Sequence, residues 1–155
     1  MKKKKLDIKN DYNRACEFYR NESDRAAAIL AASFLDDYLE QFLKEFMIND
    51  QKVCNNLLNW PGPLSSFSTR RECAYAFGYI NKETRNNIDD IAKIRNKFAH
   101  NYEVNSFNKH PISDLCQNLP TATIYKEPRS QFIMTINGIV AELYRKLVAS
   151  KKIKT

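Results

Sequence analysis

Residues 22–48 constrain this chain more than any other stretch. Stepping roughly 100° per residue, Leu30, Ala27, Phe34, Tyr38, Ala31, Phe42, Phe46, Leu39 and Leu43 fill one broad arc of a helical wheel, and Asp36, Asp37, Glu40, Gln41 and Lys44 fill the rest. That arc is wider than the ~100° stripe of a surface helix, so this helix is expected at the centre of the fold with neighbours on two sides. Asn21 offers an N-cap reinforced by Asp24. Glu40 and Lys44 have the i,i+4 spacing of an ion pair on the wet face.

The rest of the chain keeps the same period. A helix is expected over Asp11–Tyr19, with Ala15, Phe18 and Tyr19 inward, and a short one over Gln51–Leu58. Trp60-Pro61-Gly62-Pro63-Leu64 breaks the pattern. Ser68 or Thr69 restarts it, Thr69 with Glu72 having capping-box spacing, and that helix is expected to reach Ile80 with Cys73, Ala76, Phe77 and Ile80 inward. After a turn at 81–84, Ile88, Ile91, Ala92, Ile94 and Phe98 mark a helix over Glu83–Ala99. Residues 101–129 hold Pro111, Pro120 and Pro128 and no sustained period. A short turn near Ser113–Cys116 is expected within a partly ordered excursion. The last helix, Ser130–Ala149, carries Phe132, Ile136, Ile139, Val140, Leu143, Tyr144 and Leu147 on one stripe, with Gly138 off it. The reading is all-α: one compact bundle of about five to seven helices.

Size and charge agree with one domain. The 155 residues leave no room for two ordinary ones, and 43% hydrophobic residues suit a folded chain. The net charge of +7 suggests nucleic acid until it is divided along the chain. Residues 1–9 carry +4, residues 151–155 carry +3, and residues 10–150 hold 17 cations against 17 carboxylates. We therefore expect a neutral helical domain over 10–150 between two basic tails, 1–9 and 151–155. No apolar run approaches the ~20 residues of a membrane span, and the basic N-terminus lacks the apolar run of a secretory signal. Cys16, Cys54, Cys73 and Cys116 lie far apart beside apolar residues and read as reduced, packed thiols of a cytoplasmic protein. With His100 and His110 they show no metal-ligand spacing, so neither metal nor other cofactor is expected. His110, ahead of Pro111, is expected to be exposed.

Three charges fall on apolar faces. Arg95 lies between Ile88 and Ile91, Arg70 beside Phe77, and Glu45 beside Phe34 and Ala27. An unpaired buried charge is too costly to keep. The economical arrangement is one internal cluster in which Glu45 accepts from Arg70, Arg95 or both, serving as a structural ion pair or as the floor of a ligand pocket.

Arg95-Asn96-Lys97-Phe98-Ala99-His100 resembles the R-x4-H motif of HEPN-domain ribonucleases. In that family two copies of the motif meet on dimerisation, arginine holds the phosphate, and histidine assists metal-independent attack by a 2′-hydroxyl. The resemblance implies those roles for Arg95 and His100. Positions five apart on an ideal helix nevertheless diverge by about 140°. A structural reading keeps His100 as a donor at the helix C-terminus.

A longer resemblance runs from Gly62-Pro63-Leu64-Ser65-Ser66-Phe67-Ser68-Thr69-Arg70 through Ala74-Tyr75-Ala76-Phe77-Gly78-Tyr79-Ile80 to Ile91-Ala92-Lys93-Ile94-Arg95-Asn96-Lys97-Phe98-Ala99-His100-Asn101. This succession is similar to the mannitol operon repressor (MtlR) family, and the similarity extends over roughly 15–149. It implies a compact helical fold and a part in transcriptional regulation through a protein partner, and it places Arg70 and Arg95 inside recurrent motifs.

Direct base reading needs an element that enters a groove. None is evident, and Asp89 and Asp90 would face phosphate, so sequence-specific DNA binding is not expected. Outside Arg95 and His100 no nucleophile, base or phosphate loop converges. The reading is therefore a non-enzymatic regulator acting through protein contacts, with catalytic residues none. Two alternatives stand beside it. One is a toxin-neutralising immunity protein whose interface is Tyr102, Phe107, Ile124 and Tyr125. The other is an HEPN-like ribonuclease whose partner is RNA.

Overall fold

The computed structural model describes residues 19–153. The long helix α1, Asp24–Phe46, lies at the centre and packs against all the larger helices. Around it stand α2 (Gln51–Leu58), α3 (Phe67–Ala76), α4 (Lys82–His100), the short α5 (Ile112–Gln117), a 3₁₀ turn at Pro120–Thr123 and the long α6, Pro128–Ile153. No strand occurs among the described residues. The expected helix over Asp11–Tyr19 lies outside them except at its end, where residues 19–21 are helical.

Contacts at the ends of the elements set their directions. Asp24 meets Arg129 and Glu45 meets Lys151, so α1 and α6 run parallel. Arg25 reaches the C-terminus of α4 while Phe46 stacks on Tyr79 just before α4, so those two are antiparallel. α3 is antiparallel to α4 through Arg71–Asp89 and Glu72–Arg85. The core between them holds Leu35, Leu39 and Phe42 of α1, Ile88, Ile91, Ile94 and Phe98 of α4, and Phe132, Ile136 and Leu143 of α6.

Local chemistry explains where the elements differ from expectation. Ser23, not Asn21, caps α1 by accepting from Ala26 N, because Asn21 still belongs to the preceding helical turn. The buried arc of α1 centres on Leu35, so Leu30 falls at its edge and is 43% exposed. α3 begins one residue early, at buried Phe67, and Ser66 takes the cap from Thr69 N, leaving Glu72 to Arg71 and Arg85. It also stops four residues early. Gly78, at φ +72°, sends its N–H to Tyr75 O while Tyr79 N–H returns to Ala74 O. These paired bonds are the Schellman ending of a helix. The reversal turns Phe77 out and Tyr79 in, so Phe77 and Ala76 are exposed rather than inward. At the other end of the chain α6 outruns its expected limit, and Lys151 sits on it beside Glu45. Gly138 faces open space.

The segment 101–129 is held at several points. Arg25 donates to the carbonyl oxygens of Phe98, Asn101, Tyr102 and Val104, placing a cation where the α4 dipole is negative. Asp24 accepts from Phe107 N at 2.8 Å and from Arg129 Nη1 at 2.8 Å. Thr121 Oγ1 donates to Gln131 O, and Gln131 Nε2 to Tyr125 O, fixing the 3₁₀ turn against α6.

Candidate functional site

The motif residues around 58–70 form one construction whose centre is Arg70. The break after α2 is a tight turn in which Gly62 N–H donates to Asn59 O and Leu64 N–H to Leu57 O. A Cβ on Gly62 would lie 2.3 Å from Asn56 O and 2.6 Å from Leu57 O, so only glycine fits. Pro63 is exposed beside it, and Leu64 is aimed so that its carbonyl accepts Arg70 Nε at 2.9 Å. Ser68 and Thr69 are exposed on the first turn of α3.

The Arg70 side chain is 7% exposed. Nη1 reaches Asp36 Oδ1 at 2.7 Å, and Nη2 reaches Glu40 Oε2 at 2.6 Å and Leu58 O at 3.2 Å. One guanidinium thus joins α1, the end of α2, the turn and α3. Its donors are distributed over carboxylates and carbonyls, which is what allows a buried arginine to be kept. Glu40 also holds Lys44 at 2.6 Å, the expected i,i+4 pair.

The expected cluster of Glu45, Arg70 and Arg95 is not assembled. Glu45 lies at the edge of the α1 arc and faces Lys151 at 3.2 Å, one end of the bundle away from Arg70. Arg95 takes the inward position its wheel implies, yet forms no ion pair among the described residues, and its buried Nε has no hydrogen-bond partner. The two carboxylates that Arg70 does find, Asp36 and Glu40, were legible as a signal. Like charges four apart on a helix repel and want a cation between them.

Further out, Arg71, Glu72, Arg85, Asp89 and Lys93 form a ladder of ion pairs across α3 and α4. The hydrogen bond from Arg85, and then Arg71, holds the Glu72 carboxyl below its ordinary range; Lys93, and then Arg71, does the same for Asp89. Burial pushes the Cys116 thiol up to about 12, so it is a packed neutral thiol at pH 7.

The residues singled out for catalysis or contact separate in the same way. α4 is unbroken through His100, so Arg95 and His100 point apart by about 140° and share no site within one chain. Asn96 and His100 are exposed. His110 is exposed and pairs with Asp114 at 2.7 Å. Tyr102 and Ile124 are 85% and 73% exposed, and Tyr125 is half-buried. Phe107 corrects the expectation of an interface residue. It is 1% exposed and packs its ring against Phe98 and Phe132 at 4.9 and 5.3 Å, plugging the space between α4 and α6. An open cleft of about 580 Å³ lies between the start of α4 and the 3₁₀ turn, lined by Lys82, Glu83, Asn86, Asn87, Asp90, Asn118 and Pro120. None of those groups is a nucleophile with a base beside it. No group of three or more potential metal ligands occurs among the described residues.

The family model described as mannitol repressor matches residues 19–135, three quarters of the chain. The chain belongs to the mannitol repressor family. It is therefore a member of a family of regulators, as the succession from Gly62 to Asn101 implied. The structure of the MtlR–HPr complex from Escherichia coli is similar over 86% of this chain and 98% of that one, with TM-score 0.70 and 17% identity. A possible transcriptional regulator, YggD from Shigella flexneri, is similar over 89% of this chain and 97% of that one, with TM-score 0.69 and 16% identity. At these identities the likeness is one of fold. No curated protein sequence matches the chain. No described helix is long and apolar enough to cross a membrane.

Proposed function

We propose that this mannitol repressor family member regulates without catalysis, by binding a protein partner in the cytoplasm, and that the partner is an HPr protein. The observation that carries this reading is the whole-length likeness to the Escherichia coli MtlR chain of an MtlR–HPr complex, 98% of which is matched. The interior supports it. The deeply buried Arg70 holds helices together, and the R-x4-H pair diverges along an unbroken helix.

Purified chain mixed with HPr from the same organism should elute as a complex on gel filtration and give a saturable calorimetric titration. The chain alone should leave a structured RNA intact. RNA cleavage that disappears in His100→Ala would replace this reading with the ribonuclease one. Separate elution of the two proteins at tens of micromolar would reject HPr as the partner.

A further inference from the structure

The cleft beside the 3₁₀ turn continues inward. Its outer part, about 580 Å³, and an inner recess of about 240 Å³ share Glu83, Asn87 and Pro120, so they form one space between the first turns of α4 and the middle of α6. Small-molecule sites have this scale. The recess is walled by Thr84, Met134, Thr135, Gly138 and Ile139. Gly138 sits in the middle of the long α6, where glycine is destabilising relative to alanine. No packed neighbour requires it, since a Cβ there would meet nothing within 4 Å. Its effect is to leave the α6 backbone bare on the recess wall, open to close approach from the cleft.

The walls select the chemistry of what enters. They carry little spare charge: Asp90 pairs with Lys93 at 3.4 Å, Glu142 with Lys146 at 3.0 Å, and Lys82 stands beside Glu83 at the rim. An anion would meet three carboxylates and one lining cation, Lys82. No aromatic ring lines either part, so a nucleobase has nothing to stack on. Hydrogen-bonding groups are plentiful instead. The side chains of Asn86, Asn87 and Asn118 take no partner among the described residues. Each amide offers donors and an acceptor, as a ligand hydroxyl does. Deeper in, the buried hydroxyls of Thr84 and Thr135 donate to Glu142 Oε2 and Gln131 O, which leaves their oxygens able to accept. Gln131, whose carbonyl also takes Thr121 of the recess wall, is 1% exposed and its Oε1 accepts nothing. Met134, Ile139 and Pro120 supply apolar contact for C–H faces.

We propose that this cleft binds a neutral, polyhydroxylated small molecule of hexose size, with its hydroxyls on Asn86, Asn87 and Asn118 and one end in the recess against Gly138. The site goes beyond the protein-binding reading and does not depend on it, because every group it uses belongs to the one chain.

Saturation-transfer NMR titrations of the full chain, without any partner protein, test it. The probes are the hexitols sorbitol and mannitol, the hexoses glucose and fructose, and glucose 6-phosphate as the anionic comparison, each at millimolar concentration. The chains are wild type, Gly138→Leu, the double variant Asn86→Ala/Asn118→Ala, and Asn96→Ala on the far side of α4. Gly138→Leu fills the recess and removes a mid-helix glycine, so its melting temperature should equal or exceed that of wild type. At least one neutral probe should give saturable transfer to wild type. Gly138→Leu should abolish it, the double variant should weaken it at least tenfold, and Asn96→Ala should leave it unchanged. Glucose 6-phosphate should bind more weakly than glucose. No saturable transfer from any neutral probe to folded wild type would overturn the proposal. Transfer that survives both Gly138→Leu and the double variant would overturn the location, and tighter binding of the phosphate would overturn the neutral chemistry. Calorimetric titration of Gly138→Leu with HPr keeps the two readings separate: failure of HPr to bind rejects the partner and leaves the cleft standing, while HPr binding with no sugar or hexitol binding to wild type does the reverse.

Discussion

Arg70 Nη2 lies 2.6 Å from Glu40 Oε2, and this pair joins α3 to the central helix inside the fold. The same guanidinium holds Asp36, Leu58 O and Leu64 O, so four separate segments meet at one side chain.

Removing that side chain leaves Asp36 Oδ1 and two carbonyls without this donor, and Glu40 with Lys44 alone. Arg70→Met, which keeps the stem, should lower stability by about 3–5 kcal/mol, the usual cost of leaving one partner of a buried pair alone. Chemical denaturation is the measurement. A loss below about 1 kcal/mol would mean that water already satisfies Asp36 and Glu40.

Gly62 is confined by carbonyl oxygens and not by flexible side chains. Gly62→Ala forces the turn apart and should cost about 3 kcal/mol, at the upper end of overpacking effects. The aimed carbonyl of Leu64 would move with it, so a double variant with Arg70→Met should lose less than the two single losses together. Strict additivity in denaturant titrations would uncouple the turn from the arginine.

Arg95 carries a buried Nε without a partner. Arg95→Met retains the packing of the stem and removes the unsatisfied donor. Its melting temperature should equal or exceed that of wild type. A fall of several degrees would show that Arg95 has a role in the fold that its contacts do not reveal.

Desolvation holds the Cys116 thiol near 12, and the residue is buried. Thiolate is the reactive form. Iodoacetamide at pH 8 should leave Cys116 unmodified in the native chain and alkylate it in denaturant, as read by peptide mass spectrometry. Cys54, half-buried on α2, should react first of these two.

Glu72 and Asp89 are held below their ordinary ranges, chiefly by Arg85 and Lys93 respectively. A lowered carboxyl contributes stability that is complete above the unfolded values of about 4.3 and 3.9 and is lost as pH falls through the folded ones. Both groups are well exposed, so the effect is small. Differential scanning calorimetry from about pH 7 to pH 2.5 should show wild type losing more melting temperature below about pH 4 than Glu72→Gln. Parallel curves would remove Glu72 from the acid response. Lys93 is raised by Asp89 and Asp90, so its share is complete below about 10.4 and fades as pH rises through the folded value.

The stretches legible in advance were those in which one rule decides. Gln51–Leu58 is helical over the expected residues, because Asp50 caps it and Pro61 and Gly62 follow. On α6 the buried residues Phe132, Ile136, Ile139, Val140, Leu143 and Leu147 are the stripe that a 3.6 period picks out. Phe77 was misplaced because extending that period past Ala76 ignores Gly78, a glycine able to end the helix. Phe107 was misplaced because no period marks a single aromatic residue inserted from a loop.

Periodicity by itself determined the helical class, the central place of residues 24–46 and the inward direction of Arg70 and Arg95. Direction is a local property, set by rotation along one helix. Partners were decided only when the helices packed, since α1 and α6 running parallel bring Lys151 to Glu45, while α3 meets α1 at Asp36 and Glu40. Ion pairs depend on distances between segments far apart in the chain, and those distances exist only in the folded bundle.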